Sequence, residues 1–165
     1  MILYLVASKG KNVELADKLF EIGQKLGGEH EVLNLCDENL PLYVTGAEKN
    51  NSPENLPALV AKMQKAKAFV FVAPEYNGGI PPVLSNAVAW VSVSGGDDWR
   101  AAFNGKFAAI ATHSGGPAAK LGRALRLQFN HIGTTILARE INTSYSKALN
   151  EDSAEDVLNQ LLKTA

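Results

Sequence analysis

Short apolar runs alternate with longer amphipathic stretches along this chain. Residues 1–6, 68–72 and 107–112 form three almost unbroken apolar runs. Each run is too short for a typical helix, so the pattern predicts strands that are buried on both faces of a sheet. Residues 31–35 alternate between polar and apolar, which predicts a strand nearer a sheet edge, and residues 134–138 are predicted to form the last strand.

Apolar residues at helical spacing fill the stretches between these strands. They predict five helices, over residues 12–26, 53–67, 81–92, 118–131 and 152–162. Asn12 is the expected N-cap of the first helix, and the Gly27-Gly28 pair would end it. Asp152, with Glu155 three residues later, predicts a capping box at the start of the last helix. Residues 36–52 carry too many polar side chains for a core element and are predicted to form a long connection.

Strands and helices therefore alternate five times along 165 residues. Right-handed crossovers pack this pattern as a doubly wound parallel sheet with helices on both faces. The common five-stranded solution is the flavodoxin-like order 2-1-3-4-5. We expect a single α/β domain of this type over residues 1–165, since no linker or internal repeat divides the chain.

The loop that follows the third strand is the most informative stretch of the sequence. It reads Ala73-Pro74-Glu75-Tyr76-Asn77-Gly78-Gly79-Ile80-Pro81-Pro82. Its glycines let a ligand approach the backbone, and its prolines suit the first turn of the next helix. In the predicted strand order, ligands bind at the carboxyl ends of strands one and three. The loops after strands one, three and four are therefore the predicted walls of a binding crevice.

Composition narrows the range of partners. The chain is 46% hydrophobic and 20% charged, with a net charge of −1, which is typical of a soluble protein and gives no support to nucleic-acid binding. No segment is long and apolar enough to span a membrane. Cys36 is the single cysteine, so neither a disulfide framework nor a cysteine-based metal site is expected. We expect a cytoplasmic protein with a small-molecule partner, and Cys36 is interpreted as a packed residue.

The crevice loop and its surroundings resemble a known family. The resemblance is carried by the motif Pro74-Glu75-Tyr76-Asn77-Gly78, by Ile80-Pro81, and then by Leu84, Asn86, Ala87 and Trp90. It extends to Leu40-Pro41-Leu42-Tyr43, to the Gly115-Gly116 pair, and to the acidic start of the last helix. On these residues the chain is similar to the NADPH-dependent FMN reductase family, which includes flavin, quinone, azo-dye and chromate reductases.

The resemblance implies an oxidoreductase that passes hydride from NADPH or NADH through bound FMN to a quinone, azo, metal-oxyanion or flavin acceptor. The flavin carries the chemistry, so no protein group is assigned as catalytic and no metal is expected. Similar proteins are homodimers or homotetramers, and Glu75 could serve that contact instead of the cofactor. The cofactor-binding residues that the resemblance implies are Ser8, Lys9, Lys11 and Asn12 in the place of the phosphate loop, Pro74, Glu75, Tyr76, Asn77 and Gly78 along the flavin ring, and His113, Ser114, Gly115 and Gly116 on its pyrimidine side.

One departure from the family pattern leaves a second hypothesis open. The first loop usually reads Gly-Ser-x-Arg-x-x-Ser-x-Asn, whereas residues 7–12 are about two residues shorter and lack the arginine and the second serine. Lys9, Lys11, backbone N–H groups and a helix N-terminus could replace these phosphate ligands. The alternative is a flavodoxin-like binding or interaction module with weak or no FMN binding. Trp99, in a polar loop, is a further aromatic that could cover a bound flavin or a partner subunit.

Overall fold

The computed structural model describes residues 1–164 as six strands and six helices. The strands are β1 (Ile2–Val6), β2 (His30–Asn34), β3 (Ala68–Val72), β4 (Phe107–His113), β5 (Thr135–Ile136) and β6 (Ile141–Thr143). The helices are α1 (Lys11–Leu26), α2 (Ala47–Asn50), α3 (Leu56–Lys65), α4 (Pro82–Val93), α5 (Ala119–His131) and α6 (Glu151–Thr164).

The sheet has the predicted parallel order, β2-β1-β3-β4-β5. Every residue of β1 and β3 is buried, as expected for strands that are covered on both faces. The chain passes from β1 outward to β2 and then returns to β3 on the other side of β1. The loops after β1 and β3 consequently leave the sheet in opposite directions, which opens a crevice at their carboxyl ends. The flavodoxin-like fold class is confirmed.

Helices cover both faces of the sheet. On one face, Leu3 and Phe69 belong to a core that also contains buried side chains of α3, α4 and α5. On the other face, Tyr4 and Val70 pack with buried side chains of α1 and α6. Successive residues of a strand point to opposite faces, so the continuous apolar runs supply both cores at once. No helix within residues 1–164 is long and apolar enough to cross a membrane.

The prediction of one last strand over residues 134–138 was wrong. Two short strands, β5 and β6, both pair with β4, and the chain leaves the sheet between them. Arg126 holds this interruption: its guanidinium donates to the Ile136 oxygen at 3.4 Å and to the Ala138 oxygen at 3.0 Å, and it pairs with Glu140 at 3.0 Å. The carbonyl oxygens of Ile136 and Ala138, where the chain leaves the sheet, thus accept hydrogen bonds from a side chain of α5.

Gly27 caps the end of α1 as predicted, but both predicted N-caps were wrong. Gly10 precedes α1 without a side-chain cap, and Asn12 lies inside the helix. The last helix is capped by Asn150, whose Oδ1 accepts from the Ser153 N–H at 2.8 Å, so Asp152 lies in the first turn. The connection after β2 contains the short helix α2, none of whose residues is buried, and α3 begins at Leu56 instead of residue 53.

Candidate functional site

Three loops converge on one cleft of about 310 Å³ at the carboxyl ends of the central strands. They follow β1, β3 and β4, as predicted. The predicted residues that line this cleft are Ser8, Lys9, Lys11, Asn12, Pro74, Glu75, Tyr76, His113, Ser114 and Gly115. The remaining predicted residues lie just outside it: Asn77 and Gly78 form the tip of a turn, and Gly116 lines an adjoining depression.

The two lysines of the first loop have acidic partners. Lys9 lies 3.0 Å from Asp37, and Lys11 donates to both carboxylate oxygens of Glu14 at 2.9 Å. The hydrogen bond to Asp37 and the charge of that carboxylate raise the pKa of Lys9. Ser8 is buried, and its Oγ accepts from the Gly10 N–H at 3.3 Å. The side chains of this loop are therefore largely engaged within the protein, while α1 begins at the cleft with no side chain capping it.

Asn12 joins the first loop to the end of β4. Its Oδ1 accepts from the His113 N–H at 2.7 Å, and its Nδ2 donates to the His113 oxygen at 2.9 Å. Asn12 is 3% exposed, so both hydrogen bonds are shielded from water. The amide positions two walls of the cleft relative to each other, and its polar atoms are already used in doing so.

Residues 76–79 form a tight two-residue hairpin turn. The Tyr76 N–H donates to the Gly79 oxygen at 3.2 Å, and the Gly79 N–H donates to the Tyr76 oxygen at 2.9 Å. Asn77 and Gly78 have φ angles of 52° and 76°, the combination of a type I′ turn, for which Asn-Gly is the preferred sequence. The turn leaves Tyr76 51% exposed at the cleft.

Glu75 binds within its own chain. Its Oε2 accepts from the Leu121 N–H at 3.0 Å, in the first turn of α5. A carboxylate at this position satisfies one of the N–H groups that a helix start leaves without an intrahelical partner. The Glu75 N–H in turn donates to the Ser114 Oγ at 3.0 Å. Glu75 and Ser114 thereby connect the loop after β3 to the loop after β4.

His113 lies where the loop after β4 meets the end of the sheet. Its Nδ1 is 3.1 Å from the Thr143 Oγ1, whereas Nε2 is buried and has no hydrogen-bond partner among the described residues. Beyond it, Gly115 and Gly116 are exposed, and a Cβ built on either would meet no atom within 4 Å. This wall of the cleft therefore offers open backbone to a ligand.

Sequence reasoning missed the loop after β6. Tyr145 lines the cleft, is 82% exposed, and contacts the His113 ring edge-on at a centroid distance of 5.1 Å. The missed signal is Thr143-Ser144-Tyr145-Ser146, a polar segment with one large aromatic that follows a strand. Because the last strand was expected to end at residue 138, this segment was not assigned to the carboxyl edge of the sheet.

Trp99 does not belong to the site. Its ring lies 6.1 Å from that of His131, the last residue of α5. Since α5 starts beside the cleft and runs back along the sheet, its end lies at the amino edge of the strands. Trp99 therefore does not cover the crevice of its own chain, and its contact with a partner subunit stays a prediction.

Comparison with known proteins identifies the family that this site resembles. The sequence profile of the family described as NADPH-dependent FMN reductase matches residues 1–147, most of the chain. The MG342 homolog of Mycoplasma pneumoniae is 33% identical over 92 residues, which cover 56% of this chain and 53% of that protein. A quinone reductase of Escherichia coli is 34% identical over 55 residues, 33% of this chain and 29% of that protein. The matched part thus spans about half or less of the length of these curated relatives.

A solved structure shows the same fold over nearly the whole chain. The flavoenzyme NAD(P)H:(acceptor) oxidoreductase FerB from Paracoccus denitrificans superposes with a TM-score of 0.73, covering 97% of this chain and 98% of its own. At 19% identity this likeness supports the fold alone. It agrees with the parallel strand order described above.

Proposed function

Because the chain belongs to the NADPH-dependent FMN reductase family, we propose that it is an FMN-dependent NAD(P)H oxidoreductase. The observation that carries the proposal is the convergence of three βα loops on one cleft at the carboxyl ends of β1, β3 and β4. This is the position at which open parallel sheets of this order bind their ligands. The acceptor would be a small molecule of the quinone, azo, metal-oxyanion or flavin class.

The residues present are compatible with a flavin mononucleotide. The uncapped start of α1 offers backbone N–H groups to an anion, as a phosphate requires. The open backbone at Gly115 and Gly116 allows a planar ring to approach one wall. Tyr76 and Tyr145 supply exposed aromatic surface at the rim of the cleft. The cleft thus combines an anion-binding end with flat walls.

Bound FMN would supply the redox chemistry by accepting hydride from NADPH or NADH and passing two electrons to the acceptor. The chain would hold and orient it. In this proposal, Asn77, including its side-chain amide, and Gly78 lie near the reactive edge of the ring, and His113, Ser114, Gly115 and Gly116 face its pyrimidine side. Asn12, Glu75 and Ser114 keep the three loops in place.

We also propose that the protein is a homodimer or homotetramer packed beside the cleft. Leu42 and Val44 are 79% and 60% exposed, and Tyr76 is an exposed aromatic on the cleft rim. Large apolar side chains that are left this exposed are candidates for an interaction surface. Sedimentation equilibrium of the wild type and of Leu42→Asp would test this proposal: dissociation of the variant supports it, and a monomeric wild type refutes it.

One observation favours the second candidate, a binding module with weak FMN affinity. The lysines expected to replace the missing phosphate ligands are paired with Asp37 and Glu14. Partnered ammonium groups contribute less charge to a phosphate than unpartnered ones. The two candidates differ in whether FMN remains bound at micromolar protein concentration.

The visible absorption spectrum separates the two candidates. Purified protein is mixed with FMN, passed through gel filtration, and treated anaerobically with NADPH or NADH. Retained flavin that bleaches supports the reductase; protein that neither retains FMN nor binds it in a fluorescence titration favours the binding module.

Asn77→Gly removes the amide and keeps the turn, since glycine tolerates the 52° φ angle. Unchanged FMN affinity and turnover in this variant would refute a contact through the Asn77 side chain, and Asn130→Ala, on the exposed face of α5, is the control.

A further inference from the structure

A second groove of about 340 Å³ adjoins the flavin cleft and lies between α1 and the loop after β6. The two share Lys11, His113 and Tyr145, so they form one continuous surface. We call the second one the α1–β6 groove and define it by six of its polar lining residues: Lys11, Glu14, Lys18, His113, Tyr145 and Lys147.

The charge of the α1–β6 groove is positive. It contains three lysines and one glutamate, and that glutamate is bound to Lys11. Neither Lys18 nor Lys147 forms an ion pair within 4.0 Å in the part of the chain that the structure describes. Of the lysines that line the cleft or the groove, Lys18 and Lys147 are therefore the ones without a carboxylate partner, whereas Lys9 and Lys11 are both paired.

The same groove borders a buried polar atom that has no partner. Residues 1–164 provide no hydrogen-bond partner for His113 Nε2, although Nδ1 of the ring is held by Thr143. A buried polar atom without a partner is costly, and such atoms are commonly satisfied by a ligand or ordered water. Tyr145, whose ring edge contacts His113, is mostly exposed and restrained by few neighbours.

We infer that the α1–β6 groove is a phosphate-binding subsite, with Lys18 and Lys147 as the principal cations and His113 Nε2 as a further polar contact beside them. The inference rests on the proposed function and adds to it the residues that replace the shortened phosphate loop. The ligand is a phosphate monoester, and two molecules of the proposed reaction carry one: FMN at its 5′ position and NADPH at its 2′ position. Lys18 is the eighth residue of α1, so its ammonium group acts through its own charge and not through the helix start; ammonium groups suit such a dianion because they donate charge-assisted hydrogen bonds.

The test compares ligands that differ by that phosphate alone. Dissociation constants for FMN and riboflavin are measured by flavin fluorescence, and KM values for NADPH and NADH are measured in the loaded enzyme. The variants are Lys18→Ala, Lys147→Ala and the double variant. Lys25→Ala, an exposed lysine in the last turn of α1, is the matched control. We expect one of two ratios to fall about tenfold in the double variant: the preference for FMN over riboflavin or the preference for NADPH over NADH. The reason is that charge-assisted contacts are among the stronger hydrogen bonds.

The results either show whether the groove binds the phosphate of FMN or that of NADPH, or they overturn the inference. A fall in the FMN-over-riboflavin preference alone assigns the subsite to the flavin, and a fall in the NADPH-over-NADH preference alone assigns it to the nicotinamide donor. If both preferences match those of Lys25→Ala, the groove is not a phosphate subsite.

A titration with inorganic phosphate, followed by amide chemical shifts, tests the groove without any flavin. Shifts at residues 143–147 that disappear in the double variant support the subsite even if the protein fails to retain FMN. The absence of shifts, together with unchanged preferences, overturns it while the reductase proposal stands.

Discussion

Asn12→Ala is the most direct test of how the cleft is assembled. The substitution removes the hydrogen bonds of 2.7 and 2.9 Å that Asn12 makes with the His113 N–H and oxygen. Because Asn12 is 3% exposed, water does not readily replace them. Each lost hydrogen bond contributes about 1 kcal/mol, and leaving a buried partner unsatisfied raises the cost, so we expect a loss of about 3 kcal/mol in the free energy of unfolding.

Urea denaturation followed by far-ultraviolet circular dichroism measures this loss. Asn12→Asp keeps the acceptor for the His113 N–H but places an oxygen opposite the His113 oxygen, so its cost should approach that of Ala. Asn130→Ala, at an exposed position of α5, should stay within about 0.5 kcal/mol of the wild type. If Asn12→Ala also stayed within about 1 kcal/mol, the argument that this amide holds the first loop against β4 would be wrong.

Three further predictions address neighbouring elements. Glu75→Ala removes the acceptor for the Leu121 N–H at the start of α5 and should lower the free energy of unfolding by about 1 kcal/mol. Glu75→Gln keeps an oxygen there and should cost less than half of that. Equal losses of stability in urea denaturation would contradict the capping role. Gly78→Ala places a Cβ at a φ of 76° and should lower the free energy of unfolding by about 1 kcal/mol. Gly116→Ala, with no atom within 4 Å of the added Cβ, should leave stability nearly unchanged. The reverse ranking would rule out the turn as the source of strain. Burial lowers the pKa of Lys106 to about 8 from 10.5, although the α3 carbonyl oxygens of Met63 and Gln64 that it contacts favour the ammonium form. Between those pH values the unfolded chain binds more protons than the folded one, so the free energy of unfolding should rise with pH. Because the ammonium group is partly exposed, we expect this rise to be about 1 kcal/mol and to be missing in Lys106→Met. Identical pH profiles of stability for the wild type and the variant would refute the shift.

The fold was largely predictable because its main signals are local. The apolar composition of the runs that form β1, β3 and β4 was enough to predict that these strands are buried. Alternation of strands and helices then restricts the topology through the handedness of the crossovers. The interruption between β5 and β6 was not predictable, since Arg126 from the preceding helix stabilises it, and its contacts with Ala138 and Glu140 span 12 and 14 residues.

The position of the site was predictable from the sequence, but the contacts that its side chains make were not. Loops that follow the central strands meet at one sheet edge in this topology, so Ser8, Tyr76 and His113 were expected to share a cleft. The family resemblance suggested that Lys9 and Asn12 bind a ligand. Their partners, Asp37 and the His113 backbone, are 28 and 101 residues away along the chain. Contacts of that kind depend on the assembled structure.

These contacts divide the residues of the site into two groups with different consequences. Asn12, Glu75 and Ser114 connect the loops to one another, so changing them should weaken every ligand of the cleft together. The ammonium groups of Lys18 and Lys147 form no ion pair within residues 1–164, and changing them should alter only the preference between ligands that differ in a phosphate. The ratio of two affinities therefore separates ligand contact from loop positioning, because a positioning defect cancels in the ratio and the loss of a specific charge does not.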